Sequence, residues 1–285
     1  MITFMFLHIF KARWWILFNI VFIFPAIALG EMADCRAQSV PSSVNEQTPT
    51  NLAPLKKALN RFFQYERYQL SSETTMRATM EGSKVDIINK NKTMIVLPNQ
   101  FRSEIQYGDK KYLVISDGET TWIYDSQKNK YASMSAEQFQ ASEDSILVGL
   151  SSSFLLEIVR SLLTNQENES INQAELLQSI VDFFIENYKD EGFVFTQTNQ
   201  AVDGEDYLLY RYKSDAEKME FILWIDAKTQ TLNKLQILGG DREIAVEITE
   251  NILEQNFNLI TGNNTFRFIP TRWMTKVDTL PLEPF

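Results

Sequence analysis

Between Tyr68 and Ile252 the chain repeatedly alternates apolar and polar residues in short runs, and that period of two dictates β-strands. Met219, Phe221, Leu223 and Ile225 share one face of such a run. Ile244, Val246, Ile248 and Ile252 share one face of another. One side of the sheet must therefore be buried or face a cavity. An early strand is marked by Thr74, Met76, Ala78 and Met80 alternating with Thr75, Arg77, Thr79 and Glu81. Further strands are expected over residues 85–89, 93–97, 101–106, 111–116, 120–124, 130–134, 193–200, 207–213, 219–226, 231–238 and 243–252. A short last strand over 265–269 should stop at Pro270. Turn signals punctuate the series at Gly82-Ser83, Pro98-Asn99, Gly108-Asp109, Asp117-Gly118 and Gln127-Lys128-Asn129. Short strands at such spacing form a meander of hairpins.

Two stretches break the pattern with helical spacing. Pro54 suits a first helical position, and Leu55, Ala58, Leu59, Phe62 and Phe63 fall on one face after it. Residues 135–190 form the second helical region. Ser135 with Gln138 has the spacing of a capping box. Ser151-Ser152-Ser153 is expected to cap a stripe of Phe154, Leu155, Ile158, Val159 and Leu162. Another stripe runs through Leu176, Leu177, Ile180, Phe183, Phe184 and Tyr188, after a polar loop over 165–172.

The N-terminus has the layout of an export signal. Lys11 and Arg13 precede an apolar run from Trp14 to Leu29, followed by small residues. A membrane-spanning helix needs about 20 apolar residues. This run is shorter and contains Pro25, so residues 1–37 are expected to be a cleaved signal rather than an anchor, cut after Gly30 or Ala37. Lipid attachment at Cys35 is the lesser alternative, because Asp34 stands where small residues normally precede such a cysteine. Residues 38–52 are a flexible linker of Ser, Thr, Pro, Asn and Gln that cannot bury apolar surface. One domain, 53–285, remains.

His8 and Cys35 are the only histidine and cysteine. Both leave with the signal. The domain then has no disulfide, no Ser-His-Asp triad, no Cys-His nucleophile and no nitrogen or sulfur ligand for zinc. No phosphate loop, dinucleotide fingerprint or nucleophile elbow is present, and no cofactor is expected. Carboxylates near one hairpin system (Glu104, Asp117, Glu119, Asp125) are the remaining catalytic possibility, and as turn or edge residues they read as structural. A net charge of −10 opposes binding nucleic acid or anionic surfaces through general electrostatics.

The segment Pro98-Asn99-Gln100-Phe101-Arg102, followed by Val114-Ile115-Ser116-Asp117-Gly118-Glu119-Thr120-Thr121-Trp122-Ile123-Tyr124-Asp125, resembles the periplasmic outer-membrane lipoprotein carrier family, the LolA-like superfamily. The order of elements agrees, and Phe266-Arg267-Phe268-Ile269-Pro270 is similar to that family's closing Phe-x-Phe-x-Pro. The resemblance spans residues 54–278. It implies a mainly β (α+β) fold: a strongly curved, incompletely closed antiparallel β barrel with helices covering the concave face. The cavity between them would take acyl chains. Leu97 stands where the carrier has an arginine that holds its lid closed.

From alternation and resemblance together, the cavity is expected to be lined by Phe101, Leu113, Ile115, Trp122, Tyr124, Phe154, Ile158, Phe195, Phe221 and Leu223. The resemblance implies a periplasmic, monomeric, non-catalytic carrier of acylated lipoproteins or lipids, served by membrane-bound donor and acceptor proteins. The alternative is an envelope sensor or interaction module on the same fold with a stable protein partner.

Overall fold

The structure, a computed structural model, describes residues 51–80, 83–156, 193–214, 218–240 and 244–282. The expected signal, nearly all of the linker and the helical stripe over 176–188 lie outside them, as does Ile158.

Alternation becomes one open sheet of twelve strands. They are β1 (Arg67–Met80), β2 (Ser83–Val96), β3 (Gln100–Tyr107), β4 (Lys110–Ser116), β5 (Thr120–Asp125), β6 (Lys130–Ser135), β7 (Phe193–Val202), β8 (Glu205–Ser214), β9 (Met219–Asp226), β10 (Leu232–Gly240), β11 (Ile244–Asn256) and β12 (Thr275–Lys276). Their order is β12-β6-β5-β4-β3-β2-β1-β11-β10-β9-β8-β7. Sequential hairpins build two meanders, and β1 joins them by pairing with β11, with a bulge between Ser71 and Ser72. Every pair is antiparallel except the short β12–β6 contact. The edges β12 and β7 do not meet, so the fold is a mainly β, curved and unclosed sheet.

Register sorts the side chains into two faces. Tyr68 opposes Ile95, which opposes Phe101; Thr74 opposes Glu250, which opposes Leu235, then Leu223, then Tyr210. This face carries the main core, with Tyr68, Leu70, Ile95, Phe101, Ile105 and Leu235 almost wholly buried. A second, smaller cluster of Leu209, Ile222 and Trp224 lies on the other face of β8 and β9.

Helix α1 (Ala53–Gln64) seals one half of the main core, burying Leu55, Ala58, Leu59, Phe62 and Phe63. The Tyr210 hydroxyl on β8 donates to the Asn51 carbonyl at 2.7 Å, and the Phe62 ring packs edge-on to Tyr68 of β1 at 5.4 Å. Four strand spacings separate β8 from β1, about 19 Å. The 12 residues of α1 span about 18 Å, so the helix bridges that width. Over the other half lie α2 (Ala136–Ala141), a 3-10 helix (Glu143–Val148) and the start of α3, residues 150–156. Ser135 and Gln138 form the expected capping box.

Three sequence expectations are corrected. Residues 85–89 and 93–97 belong to one continuous strand, because Asn91 and Thr93 stay on the buried face and hold the alternation through polar residues. No strand forms over 265–269. The chain turns there, with hydrogen bonds from Thr265 to Gly262 and from Arg267 to Asn264, and pairs with β6 only at Thr275 and Lys276. Ser151-Ser152-Ser153 does not precede α3 as its cap but lies inside its first turns.

Candidate functional site: an apolar sheet face and its stitched cover

The segment from α2 into α3 rests on the buried face of β1–β3 and β11. Its apolar contribution is Phe139, whose ring lies 5.7 Å from Phe101, with Ile146, Leu147, Val148, Leu155 and Leu156. The polar contribution is less usual. The Thr93 hydroxyl donates to the Val148 carbonyl at 2.6 Å, and the Asn89 amide donates to the Leu147 carbonyl at 3.4 Å. Both carbonyls belong to the last turn of the 3-10 helix, where intrahelical donors run out.

One residue further along, the chain turns at Gly149, and α3 begins. Its N-terminus has Glu250 of β11 beneath it. The Ser151 backbone N–H donates to Glu250 Oε2 at 2.6 Å, and the Ser72 hydroxyl of β1 donates to Oε1 at 2.7 Å. A carboxylate suits this place, since helix N-termini carry unpaired N–H groups and partial positive charge. Glu250 is nonetheless fully buried, and no cation pairs with it among the described residues. Burial pushes its carboxyl above the usual 4.5, and the bonds from Ser72 and Ser151 oppose that rise. Gly149 must be glycine. Its φ is +111°, and a Cβ there would stand 3.0 Å from Glu250 Oε1.

Around this stitch the sheet face is polar: Ser72, Thr74, Asn89, Asn91, Thr93, Ser103 and Glu250 are all buried. Three of their atoms, Thr74 Oγ1, Asn89 Oδ1 and Asn91 Nδ2, have no hydrogen-bond partner among the described residues. The gap left between Phe101, Phe139, Val148 and Leu156 measures about 10 Å³, room for one water at most. Between these described residues the cover is closely packed on the sheet.

Nine of the ten expected lining residues are described, Ile158 lying outside, and the nine divide between the faces. Phe195, Phe221 and Leu223 share the covered face at the β7–β9 end, and Phe154 of α3 reaches them with its ring 5.6 Å from Phe221. Phe195 lies 5.5 Å from Tyr212 and 6.1 Å from Tyr210, whose hydroxyl burial pushes up to about 12. Phe101 is on the same face beneath α2. Leu113, Ile115, Trp122 and Tyr124 point the other way, as their pairing shows: Ile115 opposes Arg102 and Trp122, and Leu113 opposes Tyr124. There the Phe268 ring lies 6.3 Å from Trp122, 6.0 Å from Tyr124 and 5.2 Å from Tyr131. The covered face and this outer aromatic cluster are separate sites.

A family model for predicted periplasmic proteins, DUF2092, matches residues 53–280. The chain belongs to this family. It is accordingly a periplasmic protein. No curated protein matches the chain. Solved structures similar to it include a putative outer membrane lipoprotein-sorting protein domain from Vibrio parahaemolyticus, at 11% identity and a TM-score of 0.30, covering 76% of this chain and 94% of that one. A LolA superfamily protein from Nitrosomonas europaea is similar at 9% identity and a TM-score of 0.28, covering 78% and 99%. The MucA/MucB complex of Pseudomonas aeruginosa matches at 13% identity and a TM-score of 0.34, and there the chain spans 61% of the matched structure's length.

Glu250 and its neighbours were not among the expected site residues, though the sequence carries their signal. Ile248 and Ile252 flank Glu250 at the same parity, so an acid sits in the middle of an apolar face. Ser72 and Thr74 continue the parity of Tyr68 and Leu70 in the same way.

Proposed function

We propose that this periplasmic protein binds the acyl chains of lipoproteins or lipids between the apolar sheet face and its helical cover, and carries them without catalysis. The observation that supports this most is the way the cover is held. The stretch from residue 143 to residue 156 is fastened through its own main chain to a polar strip, and buried polar atoms beneath it have no hydrogen-bond partner among the described residues. An unmade buried hydrogen bond costs about 1–3 kcal/mol, so the closed form is less stable than an all-apolar lid would be. Lifting the cover uncovers Phe101, Ile105, Phe221 and Leu223. A dozen methylenes placed on that surface would contribute about 10 kcal/mol before the cost of opening. The curved sheet would cradle the chain on its covered side.

A fluorescent fatty acid titrated into the protein should bind saturably. Phe154→Ser should weaken that binding about tenfold or more, with the far-ultraviolet circular dichroism unchanged. Native mass spectrometry of protein from an envelope extract should show bound acylated material. No saturable binding together with an empty protein would sink the proposal. A second reading is an interaction module with a stable protein partner. Strand β7 favours it, for its ten residues hold no charge and its outer edge pairs with no strand among the described residues. Such an edge is a template for an added strand.

A further inference from the structure

The chain is acidic overall, with 37 carboxylate side chains against 27 cationic ones. One corner is not. The β3–β4 and β5–β6 hairpin ends lie side by side: Ser126 N–H donates to the Lys111 carbonyl at 3.2 Å, and the Gln127 amide donates to the Asp109 carbonyl at 2.5 Å. β12 is bound to them, with Thr275 N–H donating to the Asn129 carbonyl at 2.9 Å and Lys130 opposite Thr275. Lys110, Lys111, Lys128, Lys130 and Lys276 are therefore gathered at one end of the sheet. The acids here are few. Asp125 is buried and takes Lys128 at 3.7 Å, Asp109 is exposed in the β3–β4 turn next to Lys110, and Asp278 follows β12 by two residues.

A tethered loop rises beside this corner. At one end the Phe268 ring packs on Trp122, Tyr124 and Tyr131; at the other, Thr275 and Val277 bond to the β6 strand and the turn before it. Between these anchors the chain turns at 271–274, with Met274 N–H donating to the Thr271 carbonyl at 3.0 Å. The loop shows two large apolar side chains to solvent, Ile269 at 66% and Trp273 at 70% exposure, with the Arg272 guanidinium 4.3 Å from the Trp273 ring. From residue 255 to residue 277 there is no acid at all, while Arg267, Arg272 and Lys276 are present.

We propose that this corner is a docking site for the surface of a bilayer containing anionic phospholipid. Tryptophan beside arginine and an aliphatic residue suits the interfacial zone, where the ring sits at the headgroup level and cations meet phosphate. The anchors hold the loop in place before contact, so little ordering is lost on docking. Net charge of −10 forbids general attraction, and the lysine corner provides local charge complementarity instead. The loop's aromatic anchors are on the opposite side from the covered face, the lysines stand at the sheet end where the two faces meet, and the site does not depend on what binds under the cover.

The test uses the full chain with an environment-sensitive fluorophore on Thr271→Cys in a Cys35→Ser background. Vesicles of phosphatidylglycerol mixed with phosphatidylcholine should shift its emission to the blue. Vesicles of phosphatidylcholine alone should not, and this arm also controls for any attachment through the N-terminal apolar run. Lys130→Glu and Lys276→Glu should each weaken the response about fivefold or more, and Trp273→Ser should weaken it with the fold intact by circular dichroism. No shift on the anionic vesicles, or an equal shift on both kinds, overturns the proposal. A shift that requires lipid-free envelope proteins overturns it in favour of a protein partner.

Discussion

Glu250 is the residue whose chemistry is least at ease in its surroundings. Its two oxygens accept from Ser72 and Ser151 and no cation among the described residues offers it a counter-charge, so burial raises its proton affinity in the folded state. The sign follows from linkage. Where the folded state binds the proton more tightly than the unfolded one, stability falls as pH rises from the ordinary carboxylate value through the raised one. Glu250→Gln keeps an acceptor for Ser151 N–H and an amide that can donate to Ser72 Oγ, but it does not titrate. Urea unfolding of the two proteins at a series of pH values should show the variant gaining on the wild type as pH rises above about 4.5 and no such gain below it. Glu250→Ala should do the opposite of help, leaving the Ser72 and Ser151 donors buried and unpaired at a cost of about 1–3 kcal/mol each. Equal pH profiles for wild type and Glu250→Gln would mean that the carboxyl is not desolvated in solution.

At the scale of elements, α1 shows how a short helix comes to matter. Twelve residues with no acid in the first turn form a poor helix alone. Packing supplies what propensity does not. Phe62 meets Tyr68 of β1 at 5.4 Å and Phe257, just after β11, at 5.5 Å, and is fully buried. Phe62→Ala should therefore lower stability by about 3–5 kcal/mol in urea unfolding; a loss under 1 kcal/mol would mean that α1 is not seated in the core. This helix was legible because its apolar spacing is undiluted, and so were β3 to β6, where turn pairs such as Asp117-Gly118 bound each strand and Asp117 Oδ1 accepts from Glu119 and Thr120 as such turns require. The facing of the site was less legible. Period two says that Trp122 and Tyr124 share a side, but both sides of this sheet are partly apolar here, and only the register with Ile115 and the position of Phe268 tell which side is which. The short strand expected over 265–269 failed for a related reason: Phe266 and Phe268 are anchors for a loop, and a sequence pattern cannot separate an anchored loop from a strand.

Considered as a whole, the molecule is two meanders joined by a single long seam. β1 and β11 pair from Gln69↔Asn256 to Met80↔Ile244 although they lie far apart in sequence, and β2 extends the seam on the other side. Everything else hangs on from neighbour to neighbour, ending in a two-residue β12 at one edge and a lone β7 at the other. Opening free energies in such a sheet should grade from edge to centre. Amide hydrogen exchange should thus be slowest in β1, β2 and β11 and fastest in β12. The cover from residue 143 to residue 156 should exchange faster than the strands beneath it, because it can lift without breaking a strand pair. An acyl ligand bound under the cover reverses none of the sheet's grading but must reorder the cover's own amides. Added fatty acid should change protection over residues 143–156 and on the face of β8 and β9 while leaving β12 and the loop at 269–274 as they were. Protection that changes only at the loop would assign the ligand to the outer surface and leave the covered face as a plain core.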